Sequence, residues 1–199
     1  PFHEDKTVIA VGGIVRIVNG CDVVSGRVVR VGLSKTMLPI FQVVEYLRAF
    51  LSGRMFWNIF QGSLIISGAF GIFKKSVVVD VGGYRTDTVG EDMELVTRLH
   101  RVMVEKRIPY KILFVPDPVC WTEAPETFRG LARQRNRWHR GLLETLIYHR
   151  RMMLNPRYKM VGMGAMPYFF FVELLGPVVE ASGYVAMGVM YFLGILNIE

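Results

Sequence analysis

The sequence predicts an α/β fold that is followed by membrane-associated helices. Short runs rich in Val and Ile alternate with amphipathic helical stretches, and this crossing from strand to loop to helix is typical of an α/β layer. Residues 160–199 are strongly apolar, which predicts segments that enter a bilayer. We therefore divide the chain into an α/β part (1–126), an amphipathic region at a membrane interface (127–159) and transmembrane segments (160–199).

The first half of the chain contains one strand and one helix with clear signals. Thr7–Val18 is rich in Val and Ile and predicts a strand, which we expect Gly12–Gly13 to break. Val23–Leu33 is extended or irregular. Pro39–Ser52 predicts a helix whose apolar side includes Val43, Val44, Leu47, Phe50 and Leu51. Pro39 suits a first helical turn, and Gly53 is a plausible stop.

The middle of the chain alternates glycine-rich loops with short elements. Leu64–Phe73 is an apolar strand or loop, in which small residues would let the backbone approach a ligand. Ser76 is a candidate cap for one helical turn that ends at Gly82–Gly83. Two short strands, at 110–115 and 119–121, are expected to flank a rigid turn at Pro116–Asp117–Pro118.

Glu91–Lys106 predicts an amphipathic helix whose first turn is acidic and whose last turn is basic. This distribution complements the helix dipole, so Glu91, Asp92 and Glu94 have an ordinary stabilising explanation. Asp92 is nevertheless a candidate catalytic carboxylate, because a loop delivers it at the very start of the helix.

Thr127–Met152 predicts a second amphipathic helix, which carries the residues Gln134–Arg135–Asn136–Arg137–Trp138. Residues three and four apart on a helix are neighbours, so Gln134, Arg137 and Trp138 share one face. A guanidinium group suits phosphate oxygens, and an indole ring suits the apolar face of a sugar. Arg135 points elsewhere, with His139 as its candidate neighbour. The alternative is an ordinary basic helix at a membrane surface, anchored by Trp138.

Gln-x-x-Arg-Trp downstream of a Glu-Asp pair resembles the membrane-bound family-2 glycosyltransferases, which include the synthases of cellulose, chitin, hyaluronan and poly-N-acetylglucosamine. The segments that carry this resemblance occur in the following order: Ser67–Gly68–Ala69–Phe70–Gly71, Gly82–Gly83–Tyr84, Gly90–Glu91–Asp92–Met93–Glu94–Leu95, Pro116–Asp117–Pro118 and Gln134 to Trp138. Each segment is weak alone, and their order and spacing are specific together.

The resemblance implies that residues 1–126 are the C-terminal half of a GT-A catalytic domain of an inverting hexosyltransferase. Asp92 would then be the base, with Glu91 orienting it. Arg137, with Gln134 and Arg135, would hold a diphosphate, and Trp138 would stack on the acceptor sugar. Ser67 and Gly68 would line the acceptor-sugar site.

The resemblance also implies a nucleotide-sugar donor, with a UDP-sugar favoured, a glycan acceptor and a divalent metal, Mg or Mn. Family members hold this metal with an Asp-x-Asp pair upstream of the region that Pro1 begins, and this chain contains no Asp-x-Asp. We therefore expect the metal ligands to lie outside this chain, and the isolated chain to be an inactive fragment.

Composition sets the expected location. The formal net charge is +7, and 51% of the residues are hydrophobic, which is high for a soluble protein. Basic residues cluster just before the apolar end, which favours a cytoplasmic lipid face over nucleic acid. Two distant cysteines fit a reducing compartment. We predict a multi-pass protein of the inner or plasma membrane with a cytoplasmic catalytic part and no nucleic-acid partner.

Two other functions remain open. One is a sugar transferase that loads polyprenyl phosphate, although such enzymes usually lack the Gln-x-x-Arg-Trp helix. The other is a non-catalytic membrane subunit, or a degenerate relative, that binds a partner through this half domain. An upstream Asp-x-Asp would favour the enzyme over the non-catalytic subunit.

Overall fold

A computed structural model of the chain describes residues 1–195 and has a three-stranded mixed sheet at its centre. Strand β1 (Val8–Ile17) lies between β4 (Gly71–Phe73), which is antiparallel to it, and β5 (Lys111–Thr122), which is parallel. Strands β2 (Asp22–Val24) and β3 (Arg27–Arg30) form a separate two-stranded hairpin. The prediction of a mixed α/β fold is confirmed.

Strand β1 is the most buried element, since all its residues except Arg16 are buried. The predicted break at Gly12–Gly13 is wrong, because the strand continues through both glycines. Their role is close approach: a Cβ on Gly13 would lie 2.2 Å from the ring of Phe70. The chain at Phe70 therefore packs directly on the backbone of the central strand.

Strand β5 is one strand rather than the two predicted. Gly13 pairs with Val115 and the next residue, Ile14, pairs with Val119, so residues 116–118 form a bulge. A bulge accommodates the two prolines because the extra residues need not donate to the ladder. The predicted turn is thus absorbed into a continuous strand.

The first helical region is longer than predicted. Helix α1 (Met37–Tyr46) continues through a π-helical segment (Leu47–Gly53) into α2 (Arg54–Ile59). Gly53 does not end the helix, because its backbone keeps helical angles (φ −62°, ψ −43°). The buried side is also different from the predicted one: Gln42, Tyr46 and Trp57 are buried, whereas Val44 and Leu47 are exposed.

Helices α3 (Lys75–Asp80) and α4 (Glu91–Glu105) follow the predictions closely. Gly82 and Gly83 have φ values of +92° and +72° and end the α3 region, as predicted. Lys74, not Ser76, occupies the position before α3. One side of α4 packs on the sheet through a buried cluster: Leu95, Val96, Leu99 and Met103 contact Ile9, Ala10, Ile66 and Ile112.

Helix α5 (Phe128–Tyr148) begins at a capping residue, since the hydroxyl of Thr127 accepts a hydrogen bond from the N–H of Gly130 (3.2 Å). Two single 3₁₀ turns, Arg150–Met152 and Pro156–Tyr158, follow it. A second core forms beneath α5 and joins it to the C-terminal region. Its buried members include Trp57, Leu64, Met93, Leu146, Met152, Tyr158 and Met166.

The C-terminal region, where the sequence predicts transmembrane segments, is one helix of 32 residues, Val161–Phe192. Its parts are a π-helical segment (Val161–Ala165), α6 (Met166–Tyr168), a second π-helical segment (Phe169–Leu174) and α7 (Gly176–Phe192). Within residues 1–195 it is the one helix that is long and apolar enough to cross a membrane. The predicted transmembrane region continues to residue 199, and residues 196–199 lie outside the described part.

Candidate active site

The start of α4 and the middle of α5 touch through two glycines. A Cβ on Gly90 would lie 2.7 Å from the Cα of Gly141, and the reverse distance is the same. The hydroxyl of Thr88 also donates to the carboxylate of Glu144 (2.7 Å). Asp92 follows Gly90 by two residues and Trp138 precedes Gly141 by three, so this contact brings the two predicted site regions together.

Asp92 is half-buried and is held by backbone donors. One carboxylate oxygen, Oδ2, accepts a hydrogen bond from the N–H of Gly68 (3.0 Å), and Oδ1 accepts one from the N–H of Met93 (2.8 Å). The carbonyl of Ser67 accepts from the N–H of Phe70 (2.9 Å), which closes the turn containing Gly68. The structure therefore brings Ser67, Gly68 and Asp92 together. Backbone donors at a helix start stabilise a negative charge here.

Arg54 is a residue of this site that the sequence analysis missed. Its guanidinium carbon lies 4.4 Å from the centre of the Phe50 ring, and its Nη1 atom is buried with no hydrogen-bond partner among residues 1–195. Burial lowers the pKa of Arg54 to about 10, and the negative charge of Asp92 opposes that shift. Arg54 thus stays protonated at neutral pH beside the candidate base. Its signal in the sequence is the i, i+4, i+8 series Tyr46, Phe50, Arg54.

Trp138 belongs to an aromatic cluster rather than to an open helix face. Its ring centre lies 6.4 Å from that of Tyr46 and 6.1 Å from that of Phe50. The guanidinium of Arg135 lies 4.6 Å from the Trp138 ring centre and forms an ion pair with Glu45 (2.5 Å). Arg135 therefore contacts Glu45 and not His139. Phe50 connects the Trp138 cluster to Arg54.

The other predicted site residues differ in exposure. Gln134 is half-buried, and its Oε1 atom has no hydrogen-bond partner within the described chain. Arg137 and Glu91 are exposed. The hydrogen bonds that hold Asp92 come from Gly68 and Met93, so the structure shows no orienting contact from Glu91. Burial, followed by the charges of Asp92 and Glu91, raises the pKa of the nearby Tyr84.

Glu94 forms a second, fully buried acidic site on the other side of α4. Its carboxylate accepts from Arg98 (2.8 Å) and lies 3.1 Å from Nε2 of His149 on α5. Arg98 also donates to the carbonyls of Val81 (2.5 Å) and Gly83 (2.6 Å). Burial raises the pKa of Glu94, but its interactions with His149 and Arg98 outweigh burial and hold it below the usual value. This network fixes α4 against α5 and the Gly82–Gly83 loop.

Metal ligands are not gathered in the described chain. Residues 1–195 contain no group of three or more His, Cys, Asp or Glu side chains placed to hold a metal ion. Asp117 is exposed in the β5 bulge. Asp92 therefore has no group of metal-binding side chains around it within residues 1–195.

Comparison with known proteins agrees with this arrangement. The family described as "Glycosyl transferase family group 2" matches residues 10–198. Poly-beta-1,6-N-acetyl-D-glucosamine synthases from Staphylococcus aureus (strain COL) and Staphylococcus epidermidis are 44% and 42% identical to this chain over 82 residues. Those matches cover 41% of this chain and 18% of each relative's length.

A solved structure shares the fold. It is a mannosyltransferase from Pyrobaculum calidifontis in complex with GDP-Man and Mn²⁺, with a TM-score of 0.51 and 19% sequence identity. The likeness covers 95% of this chain and 48% of that protein. The family match spans most of the chain. The chain belongs to glycosyl transferase family group 2.

Proposed function

We propose that this chain is part of an inverting glycosyltransferase that moves a sugar from a nucleotide diphosphate donor to a glycan acceptor in polysaccharide synthesis. The observation that supports the proposal is the contact between Gly90, two residues before Asp92, and Gly141, three residues after Trp138. Sugar transfer needs a base, a group that stabilises the departing diphosphate and a platform for the acceptor.

Asp92 is assigned the role of the base. The acceptor hydroxyl oxygen attacks the anomeric carbon, its proton passes to the Asp92 carboxylate, and the bond from that carbon to the diphosphate oxygen breaks. The electron pair leaves with the diphosphate. The N–H of Gly68 holds Oδ2 of Asp92 in place, which leaves positioning to supply much of the effect. This contact takes the orienting role that Glu91 was expected to have.

The helix α5 is assigned the diphosphate and the acceptor. Arg137 is exposed, so its guanidinium is available to a diphosphate, and the Nε2 amide of the half-buried Gln134 is the group of that side chain that can donate to a phosphate oxygen. Arg135 is paired with Glu45, and we assign it to holding the Trp138 ring rather than to direct phosphate binding. Trp138 and its aromatic neighbours then form the platform on which the acceptor sugar stacks.

The proposed donor follows from the relatives, and the proposed metal from the charge of the diphosphate. Two relatives are named for poly-β-1,6-N-acetylglucosamine synthesis, so UDP-N-acetylglucosamine is the first donor to test, with other UDP-sugars and GDP-mannose beside it. A divalent cation, Mg²⁺ or Mn²⁺, would neutralise the diphosphate charge when bound, and we place its ligands outside this chain. The chain spans less than half of the solved relative's length.

The test is a donor panel on the full-length gene product in membranes. Release of the nucleoside diphosphate and incorporation of labelled sugar into polymer are measured for each donor, with Mg²⁺, with Mn²⁺ and with a chelator. The proposal expects one donor to support both signals in a metal-dependent way. Absence of turnover with every sugar nucleotide would favour the non-catalytic alternative instead.

A second measurement concerns the isolated chain. We expect residues 1–199 alone to bind no nucleotide sugar tightly and to transfer nothing, because the donor-metal ligands are missing. Isothermal titration with the active donor and Mn²⁺ tests this. Tight, metal-dependent binding would show that the donor site is complete in this chain. Product analysis of the full-length protein distinguishes a glycan product from a sugar linked to polyprenyl phosphate.

A further inference from the structure

The loop that leads into α4, residues 84–90, lies along one face of α5. Positions 141, 144 and 148 of α5 are three and four residues apart, so they lie on the same face of the helix. Three contacts follow one another along this face: Gly90 with Gly141, Thr88 with Glu144, and Arg85 with Tyr148. The loop therefore follows α5 for about two turns before α4 begins.

Glu144 makes the hydrogen bonds at the centre of this contact, and its two oxygens have different partners. Oε2 accepts from the hydroxyl of Thr88 (2.7 Å) and from the N–H of Val89 (3.2 Å). Oε1 accepts from Nε of Arg140 on α5 itself (2.7 Å). Hydrogen bonds from Thr88, Arg140 and Val89, with that from Thr88 the largest, hold its pKa below the usual value. Glu144 is therefore ionised at neutral pH, and an ionised acceptor makes the stronger kind of hydrogen bond.

A chain of hydrogen bonds connects Glu144 to the start of α4. The hydroxyl of Thr88 donates its single proton to Glu144 and accepts from the N–H of Gly90 (3.2 Å). Gly90 immediately precedes α4, and its carbonyl accepts from the N–H of Glu94 (2.9 Å), which opens the helix. Asp92 is the second residue of α4. The contact of Glu144 with Thr88 therefore fixes the backbone that carries Asp92 relative to α5.

We propose that Glu144 is a positioning residue for sugar transfer: through Thr88 it fixes the start of α4 and so sets the Asp92 carboxylate relative to Trp138. The proposal rests on the proposed function, because it takes Asp92 as the base and Trp138 as the acceptor platform. A base must lie within hydrogen-bond reach of the proton that it takes, so a displacement of about 1 Å costs about 100-fold in rate. Glu144 itself contacts no reacting atom in this proposal.

The first test compares two variants of Glu144 in the purified full-length protein, with the donor that the panel identifies and oligosaccharides of the same sugar as acceptors. Glu144→Met keeps the volume of the side chain but removes both oxygens. We expect its kcat to fall about 10- to 100-fold while the donor KM stays within about twofold. Glu144→Gln keeps an oxygen for the hydroxyl of Thr88, so its kcat should stay within about threefold of the wild type.

The second test approaches the same hydrogen bond from its other end. Thr88→Val keeps the shape of the side chain without the hydroxyl, and we expect a decrease in kcat similar to that of Glu144→Met. Thr88→Ser keeps the hydroxyl and should restore kcat. Because both substitutions interrupt one connection, the double variant Thr88→Val/Glu144→Met should be no more than about threefold slower than the slower single variant.

Arg140→Gln is the matched control. Arg140 contacts Oε1 of Glu144, whereas the loop contacts Oε2, and the Arg140 side chain is 65% exposed. The substitution therefore removes one partner of Glu144 and leaves its contact with the loop in place. Its kcat and donor KM should match those of the wild type. Thermal unfolding of every variant shows whether the kinetic measurements are made on folded protein.

The possible results lead to different conclusions. A lower kcat in Glu144→Met and Thr88→Val, with an unchanged donor KM and no further loss in the double variant, supports the proposal. A wild-type kcat in folded Glu144→Met makes the residue merely structural and overturns it. A raised donor KM with a wild-type kcat, or additive losses in the double variant, also overturns it. Failure of the wild type to turn over any donor counts against the proposed function itself.

Discussion

Two carboxylates in the first turn of α4 stand in opposite environments. Asp92 is half-buried on the side of α4 that faces Gly68, which we call the cleft side. The N–H groups of Gly68 and Met93 hold it there. Glu94 is completely buried at the core side, where Arg98 and His149 contact its two oxygens. Both belong to the single stretch Gly90–Leu95, and only one residue, Met93, separates them.

The difference separates a carboxylate that backbone donors hold from one that charged side chains enclose. Glu94 contacts Arg98 of its own helix and His149 at the end of α5, so its charge and its position are fixed together. Asp92 is held by the backbone amides of Gly68 and Met93 and stays partly exposed, so it is accessible from solvent. The buried contacts of Glu94 thus fix the start of α4, and the fixed helix start holds Asp92 in position.

The largest expected effect is on the cleft side. Asp92→Asn removes the base but keeps the shape of the side chain, so we expect transfer to fall about 10²- to 10⁴-fold. The protein should still fold, with a small decrease in the unfolding midpoint, because the single amide oxygen of Asn can accept from the N–H of Gly68 or of Met93 but not from both. A sugar-transfer assay of the purified full-length protein checks the loss of activity, and its thermal unfolding checks that the fold is retained. Turnover near the wild-type level would remove Asp92 from the site.

The second effect is on the core side, where we expect the substitution to lower stability, whereas Asp92→Asn mainly lowers transfer. Glu94→Gln leaves the Arg98 guanidinium buried without its counter-charge, and we expect the free energy of unfolding to fall by about 3–5 kcal/mol. Chemical denaturation measures this loss. Glu91→Gln is the matched control for stability, because Glu91 is exposed in the same turn and should change stability by less than about 0.5 kcal/mol. Equal losses of stability in Glu94→Gln and Glu91→Gln would contradict the structural role that we assign to Glu94.

The third effect tests the contact that joins the two sides. In Gly141→Ala the new methyl group would lie 2.7 Å from the Cα of Gly90, so the helices must separate. We expect a loss of about 1–3 kcal/mol in stability, together with reduced transfer as Asp92 shifts relative to α5. Gly183→Ala is the control, since nothing lies within 4 Å of a Cβ built there. A Gly141→Ala variant with full activity would show that the helix contact does not set the site.

Much of the site was predictable because α4 and α5 have strong helical periodicity and polar residues at defined positions. The acids at the start of α4 and the Gln134–Trp138 segment are local patterns, and the structure brings their helices into contact as expected. The strand β1 was predictable in place because it is apolar almost throughout. The continuity of β1 through Gly12–Gly13 was not predictable, because a pair of glycines usually indicates a break in a strand. Here the absence of a side chain on Gly13 permits close packing with Phe70.

Arg54 and Glu94 show what the sequence could not supply. Arg54 lay beyond the predicted end of its helix at Gly53, where nothing in the composition indicates a π-helical continuation. Glu94 had a sufficient local explanation as a stabiliser of the helix start. Its partner His149 is 55 residues away, and such a pairing depends on how α4 and α5 pack. Both omissions concern tertiary contacts of charged side chains.

The smallest predicted effect concerns a third titratable group on the core side of α4, His100. Its Nε2 lies 2.8 Å from the carbonyl of Ser63 and its Nδ1 lies 2.7 Å from the hydroxyl of Tyr110. Burial lowers the pKa of His100 to about 4, partly opposed by the Ser63 carbonyl. The unfolded chain therefore binds a proton first as the pH falls below about 6.5, so stability decreases between that pH and about 4.

Between pH 6.5 and pH 5, this one group should lower the free energy of unfolding by about 1.5 kcal/mol. Chemical denaturation of the wild type and of His100→Gln at both pH values isolates the effect, because other titrating groups contribute equally to both proteins. The variant should lose about 1.5 kcal/mol less than the wild type over this interval. Equal pH dependence in the two proteins would mean that His100 takes up its proton in the folded state, and the core side of α4 would then be less sealed than its neighbour Glu94 indicates.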